Sequence, residues 1–211
     1  MRLSSYNISA TIIFNFKLLP FKEAIRFPFL LGGKVKFEDL SGRVVLPEKI
    51  KTGMVRIGFQ GSEMFGGKKT VINLEGALVI KGHNITIGVG SALDISKTGK
   101  LVLDSNVCIG ALCNVYCESD LEIGSKTITS WNCSINAVAK GKRLSIGEHC
   151  WLGNNVEISG FCDIPHDTIF ASKSSNNYVC SKPEYTSNCV VGGGKVLQSN
   201  QLRTDDKIEA E

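Results

Sequence analysis

Residues 146–175 read IGEHCW LGNNVE ISGFCD IPHDTI FASKSS, five consecutive blocks of six. A large apolar residue opens every block: Ile146, Leu152, Ile158, Ile164 and Phe170. A smaller, mixed column sits four residues after each, at Cys150, Val156, Cys162, Thr168 and Ser174. This spacing fits neither an amphipathic helix, which repeats about every 3.6 residues, nor an alternating strand, which repeats about every 2. It fits a solenoid in which three blocks, about 18 residues, complete one triangular coil. Both columns should then point inward and stack on their equivalents one coil away, with the polar residues between them facing solvent. The expected class is an all-β parallel β-helix.

The same frame extends upstream. Ile87–Gly88 and Leu93 are one block apart, and Leu103, Ile109, Val115 and Leu121 hold the register. Ile123–Gly124 then opens a set displaced by two. The widest break runs from Cys133 to Leu144, where an insertion should leave the coil as a loop, and edge loops commonly carry a site. Between Gly32 and Gly82, Lys34–Phe37, Arg43–Leu46, Met54–Phe59, Thr70–Leu74 and Ala77–Ile80 read as strands of the first, irregular coils. Downstream of Ser175 the frame decays. Tyr178, Val179, Val190 and Val191 are expected to complete a last coil, Gly192–Gly194 to turn the chain, and Lys195–Leu197 to begin a short terminal segment. The chain reads as one domain: residues 1–56 form a cap and irregular first coils, 57–197 the β-helix, and 198–211 a polar, frayed tail.

A net charge of +4 over 211 residues does not imply nucleic acid. The basic excess is local, because residues 1–56 carry ten Lys and Arg against four Asp and Glu. Within that region Phe16, Leu18, Leu19, Phe21, Ile25, Phe27 and Phe29 alternate with Lys17, Lys22 and Arg26, and Pro20 and Pro28 limit helix length. Two readings stay open. One is a basic, aromatic surface that meets a membrane-linked or acidic partner, and the other is a cap over the open end of the solenoid. No apolar run reaches the roughly 18 to 20 residues that span a bilayer, and no signal peptide is evident. The eight cysteines lack a CxxC pair, which argues against a zinc site. They read as small, buried, reduced residues of a cytoplasmic protein, with Cys162 and Cys180 one coil apart.

Three blocks of sequence carry a resemblance. Ser130-Trp131-Asn132-Cys133-Ser134-Ile135, then Ile146-Gly147-Glu148-His149-Cys150-Trp151-Leu152-Gly153, and more loosely Gly192-Gly193-Gly194-Lys195-Val196, resemble the hexapeptide-repeat acyltransferases over roughly residues 76–197. The similarity is greatest to the branch that O-acetylates sugars of surface polysaccharides. It implies a left-handed β-helix, a homotrimer, and an acyl-CoA, usually acetyl-CoA, held between adjacent subunits without a metal. It also implies direct transfer to a sugar hydroxyl, with a histidine as general base and backbone amides at the oxyanion. The expected location is the cytoplasm, at the inner face of the membrane if the basic aromatic N-terminus associates with it peripherally. The cofactor-side residues carried over are Trp151, Gly153, Ala171, Ser172 and Lys195, and Trp131 falls beside the acceptor position.

The family block D-T-D-F-H has no counterpart here. After Ile135 the chain reads Asn136-Ala137-Val138-Ala139-Lys140-Gly141-Lys142-Arg143. Only His83, His149 and His166 remain, and His149, in the matching stretch, is the candidate base. His83 and His166 read as structural, and their spacing does not suit a three-histidine metal site of the carbonic anhydrase type. The missing block keeps a second function open: a catalytically silent homologue that serves as a binding or scaffold trimer.

Overall fold

The structure is a computed structural model that describes residues 6–59, 65, 67–138, 141–176, 187–193 and 195–198. Among these residues, strands form three faces, one of nine strands and two of six; six coils each contribute one strand to every face, and the last three strands belong to the first face alone. One coil runs through Ile128–Thr129 on the first face, Ser134–Ala137 on the second and Arg143–Ile146 on the third. Each strand pairs in parallel with its equivalents above and below. Ile135 lies between Val115 and Ile158, and Leu144 between Leu121 and Cys162. All ten column residues of 146–175 are buried, so the stacking read from the period holds.

Coil length explains the slips of frame. Leu152 pairs with Phe170, 18 residues on, and this coil alone keeps strict hexads. Val115 pairs with Ile135 after 20 residues. The two extra residues lengthen the second-face strands Lys69–Leu74, Ala92–Ile95, Asn114–Cys117 and Ser134–Ala137. Each gains one more inward side chain, and Leu74, Ile95, Cys117 and Ala137 form a third buried column. That column ends where the strand Glu157–Ser159 meets Gly160. The displacement at Ile123–Gly124 is therefore a strand extension. The Cys133–Leu144 break adds a real insertion, which connects Ser134–Ala137 to Arg143–Ile146.

Parallel pairing already begins at Phe29, which sits opposite Val55. Helix α1, Ile8–Leu18, closes this end, with Asn7 as its N-cap accepting from the Ala10 amide. It stops ahead of Pro20, and a short helix α2, Phe21–Ala24, follows. The two buried polar side chains of α1 complete the edge strand Phe29–Leu31. Asn15 donates to Phe29 O and accepts from Phe29 N, while Thr11 accepts from Leu31 N. Phe14 packs edge-on against Phe29 beside them. At the other end, Val190–Gly192 and Lys195–Gln198 form an antiparallel hairpin on the first face. It supplies the turn and terminal segment expected from Gly192 and Lys195. The expectations for Tyr178, Val179 and the tail beyond 198 lie outside the described residues.

Six of the cysteines are free, and five of those are buried. Cys162 departs from the reduced reading: its sulfur is engaged in a disulfide.

The outer side of the third face carries a charge ladder. Lys81 and Arg143 both reach Glu122, and Arg143 also reaches Asp163 at 3.2 Å. The hydrogen bond from Lys81, helped by the charges of Lys81, Arg143 and Lys100, holds the Glu122 carboxyl below its usual range against the opposing effect of burial. A carboxylate with a lowered folded-state pKa stabilises the fold above its unfolded value and loses that effect as pH falls through the folded one. Glu122→Gln is expected to cost about 0.5–1 kcal/mol near neutrality and nothing once acid has protonated the wild-type group. Paired denaturation curves at neutral and acid pH check this, and a difference that persists in acid contradicts it.

Candidate functional site

Every candidate residue lies on the first face or at its two corners. A chain that turns tightly from the third face into the first needs one residue in the left-handed region, where Asn, Asp and His are enriched. That position is filled in successive coils by Asn84, Asn106, Lys126, His149, Asp167 and Asn188, with φ between 55° and 61°. His149 is thus one rung of a turn ladder, and its amide donates to Ser125 O as Asp167 N does to Glu148 O. The stacking sets His149 Nδ1 3.6 Å from Asp167 Oδ1, the residue one coil on. Both side chains are about three-quarters sheltered. A carboxylate at the Nδ1 edge is the arrangement that orients an imidazole for work at Nε2.

Trp151 follows on the strand Trp151–Leu152. Leu152 fills the core, so Trp151 must face outward, where it is 51% exposed. It pairs with Ile128 on one side and Ile169 on the other. Ile128 is itself 48% exposed, so the ladder presents an apolar stripe across the first face.

At the far corner, Gly153 donates to Phe170 O, and a Cβ there would meet Ser172 N at 2.8 Å. Glycine is what allows these two turns to touch. Ala171 donates its amide to Val191 O, while Ser172 Oγ accepts from Asn154 N. The Ala171 amide is therefore committed within the stack. The Ser172 amide has no hydrogen-bond partner among the described residues. Lys195 is exposed, opposite Gly192 in the terminal hairpin. The fold brings Gly153, Ala171, Ser172 and Lys195 to one edge, on neighbouring strands of the first face. His149 stands at the other end of its strand, no more than about 14 Å from Gly153 by chain length.

Trp131, 43% exposed, packs edge-on against Phe65 with ring centroids 5.0 Å apart. Around it Asn154 accepts from Ser130 Oγ and Trp131 N, and Asn132 donates to Asn155. No family model matches the chain, and neither a curated protein nor a solved structure does. The segment without the D-T-D-F-H block presents cations instead: Lys142 lies 3.5 Å over the Phe161 ring, and Arg143 binds Asp163.

Of the remaining histidines, His166 is tied between coils, whereas the buried Nδ1 of His83 has no hydrogen-bond partner among the described residues. His166 Nδ1 accepts from the Glu148 amide, joining adjacent coils. His83 precedes the Asn84 turn, and its carbonyl accepts from Asn106 N. Among the described residues the free thiols are buried, apart from a half-buried Cys108. Hydrogen bonding from Cys133 and Thr129 holds the Cys113 thiol below its usual range, yet it is wholly enclosed in the core. Among the described residues no group of His, Cys, Asp and Glu suits a metal ion.

Asp167 and Ile169 are the site residues that the sequence reading missed. A spacing of one coil from His149 and Trp151 was the available signal for both.

Proposed function

We propose that the protein is an acyl-CoA-dependent O-acyltransferase, using acetyl-CoA and a sugar hydroxyl of surface polysaccharide synthesis, built as a left-handed β-helix and working as a homotrimer. The observation that carries the reading is the pairing of His149 with Asp167 on the same face as Trp151, Gly153, Ser172 and Lys195. In this reading, Asp167 holds the imidazole and Nε2 takes the proton of the acceptor hydroxyl. The oxygen attacks the thioester carbonyl, an amide such as that of Ser172 donates to the oxyanion, and the C–S bond breaks. The imidazolium then returns its proton to the departing thiolate, giving the ester and free coenzyme A. Lys195 offers a cation for coenzyme phosphates, and Trp151 with Ile128 offers apolar area to the pantetheine arm. A site shared between subunits needs the second copy to close it.

A second reading has its own observation. The turn ladder of Asn84, Asn106, Lys126, His149, Asp167 and Asn188 accounts for His149 without chemistry, which favours a silent scaffold trimer. Titration calorimetry with acetyl-CoA, followed by an acetyl-CoA consumption assay over a panel of sugars, separates the two. Binding with acceptor-dependent turnover is expected. Absence of any heat of binding sinks the enzyme reading and leaves the scaffold.

A further inference from the structure

Helix α1 is turned partly inside out. Its polar residues Thr11 and Asn15 are buried because they complete the Phe29–Leu31 edge strand. Its outer side then carries Ile8, Ile12, Ile13 and Phe16, all exposed, with Ile8 at 67%. The patch continues through α2 and its end, where Phe21 and Ile25 are also exposed. Phe16 joins the parts, its ring centroid 6.0 Å from those of Phe21 and Phe27. An apolar helix side of this extent is ordinarily covered, and the described residues leave this one open.

The rim decides what covers the other. Lys17, Lys22 and Arg26 are exposed around the patch, and none forms an ion pair among the described residues. Glu23 is the single carboxylate between residues 8 and 28. A second copy docked about a two-fold axis would place the same three cations against their own equivalents. A layer with apolar depth and a negative surface accommodates both features at once.

We propose that the outer side of α1 and α2 docks this protein onto an anionic lipid bilayer, with Ile8, Ile12, Ile13, Phe16 and Phe21 entering the acyl boundary and Lys17, Lys22 and Arg26 at the headgroups. Among the described residues no helix is long and apolar enough to cross a membrane. The docking stands independently of the acyltransferase reading.

Flotation of the full chain tests it, with vesicles of phosphatidylcholine alone and of phosphatidylcholine mixed with phosphatidylglycerol. Binding to the mixed vesicles is expected, and it weakens as salt is raised. A Lys17→Gln/Lys22→Gln/Arg26→Gln variant should bind them less by about fivefold per charge, on the order of a hundredfold in all. Ile12→Gln/Ile13→Gln, both on the exposed side, should abolish flotation while leaving the melting temperature unchanged. The proposal is overturned if mixed vesicles capture no wild-type protein, or if either variant floats as well as wild type. It is equally overturned if Ile12→Gln/Ile13→Gln lowers the molar mass measured by light scattering without lipid, since a second copy would then be the cover.

Discussion

Gly76→Ala is expected to be among the most damaging single-methyl changes at the described glycines, costing more than about 3 kcal/mol. Gly42, Gly76 and Gly99 stack at the corner between the second and third faces, where Arg43 N donates to Gly76 O and Ala77 N to Gly99 O. A Cβ on Gly76 would lie 2.2 Å from both Gly99 O and Ser96 O of the next coil. Those are backbone atoms held by the parallel ladder, so no side chain can swing aside. The coils must part by about 1 Å, which goes beyond the 1–3 kcal/mol typical of overpacking. For a chain of this size the melting temperature should fall by roughly 6 °C or more. Gly160→Ala is the instructive contrast. It meets nothing within 4 Å but has φ +87°, so it carries only a conformational cost of about 1–2 kcal/mol. Thermal melts of both variants decide the matter, and equal losses would remove the close-approach argument.

His149→Asn is the second large effect, and it falls on activity. Asparagine occupies the equivalent turn in three coils, at Asn84, Asn106 and Asn188, so the variant keeps the left-handed corner and loses only the imidazole. On the acyltransferase reading, kcat should drop by about 10²–10⁴, with the melting temperature unchanged. Asp167→Asn should lower kcat less, because it removes the group beside the base and not the base. Acetyl-CoA consumption and a melt on the same samples check this. Unchanged turnover would exclude His149 as the base, and a parallel fall in stability would mark it as a structural rung.

The solenoid was legible because burial in a stacked coil repeats with the coil. Ile146 to Phe170 had to be apolar at fixed intervals, and the pattern survives in the chain. Coil length was less legible. The two-residue displacement at Ile123 reads as a break until the strands show that Cys117 and Ala137 continue inward. The site was legible only where a residue is chemically distinctive, as with His149, Trp151 and Lys195. Asp167 escaped notice because an aspartate at a turn is ordinary, and its meaning comes from the rung above. Asn15 was hidden more deeply. A polar residue among Ile12, Ile13, Phe14 and Phe16 suggests an outward face, yet here it points in, drawn by the unpaired amide and carbonyl of Phe29.

That latch bears on assembly. A parallel stack offers at each end a strand able to recruit another, the route by which such folds run into fibres. Asn15 and Thr11 occupy the polar groups of Phe29 and Leu31 at one end of the first face, and the reversed strand Lys195–Gln198 occupies the other. Growth along the axis of this face is blocked at the α1 end, where the latch fills the outer edge of Phe29–Leu31. Another strand cannot add to the Phe29–Leu31 edge while the latch holds, and pairing of a second copy there should appear only when the Asn15 latch is broken.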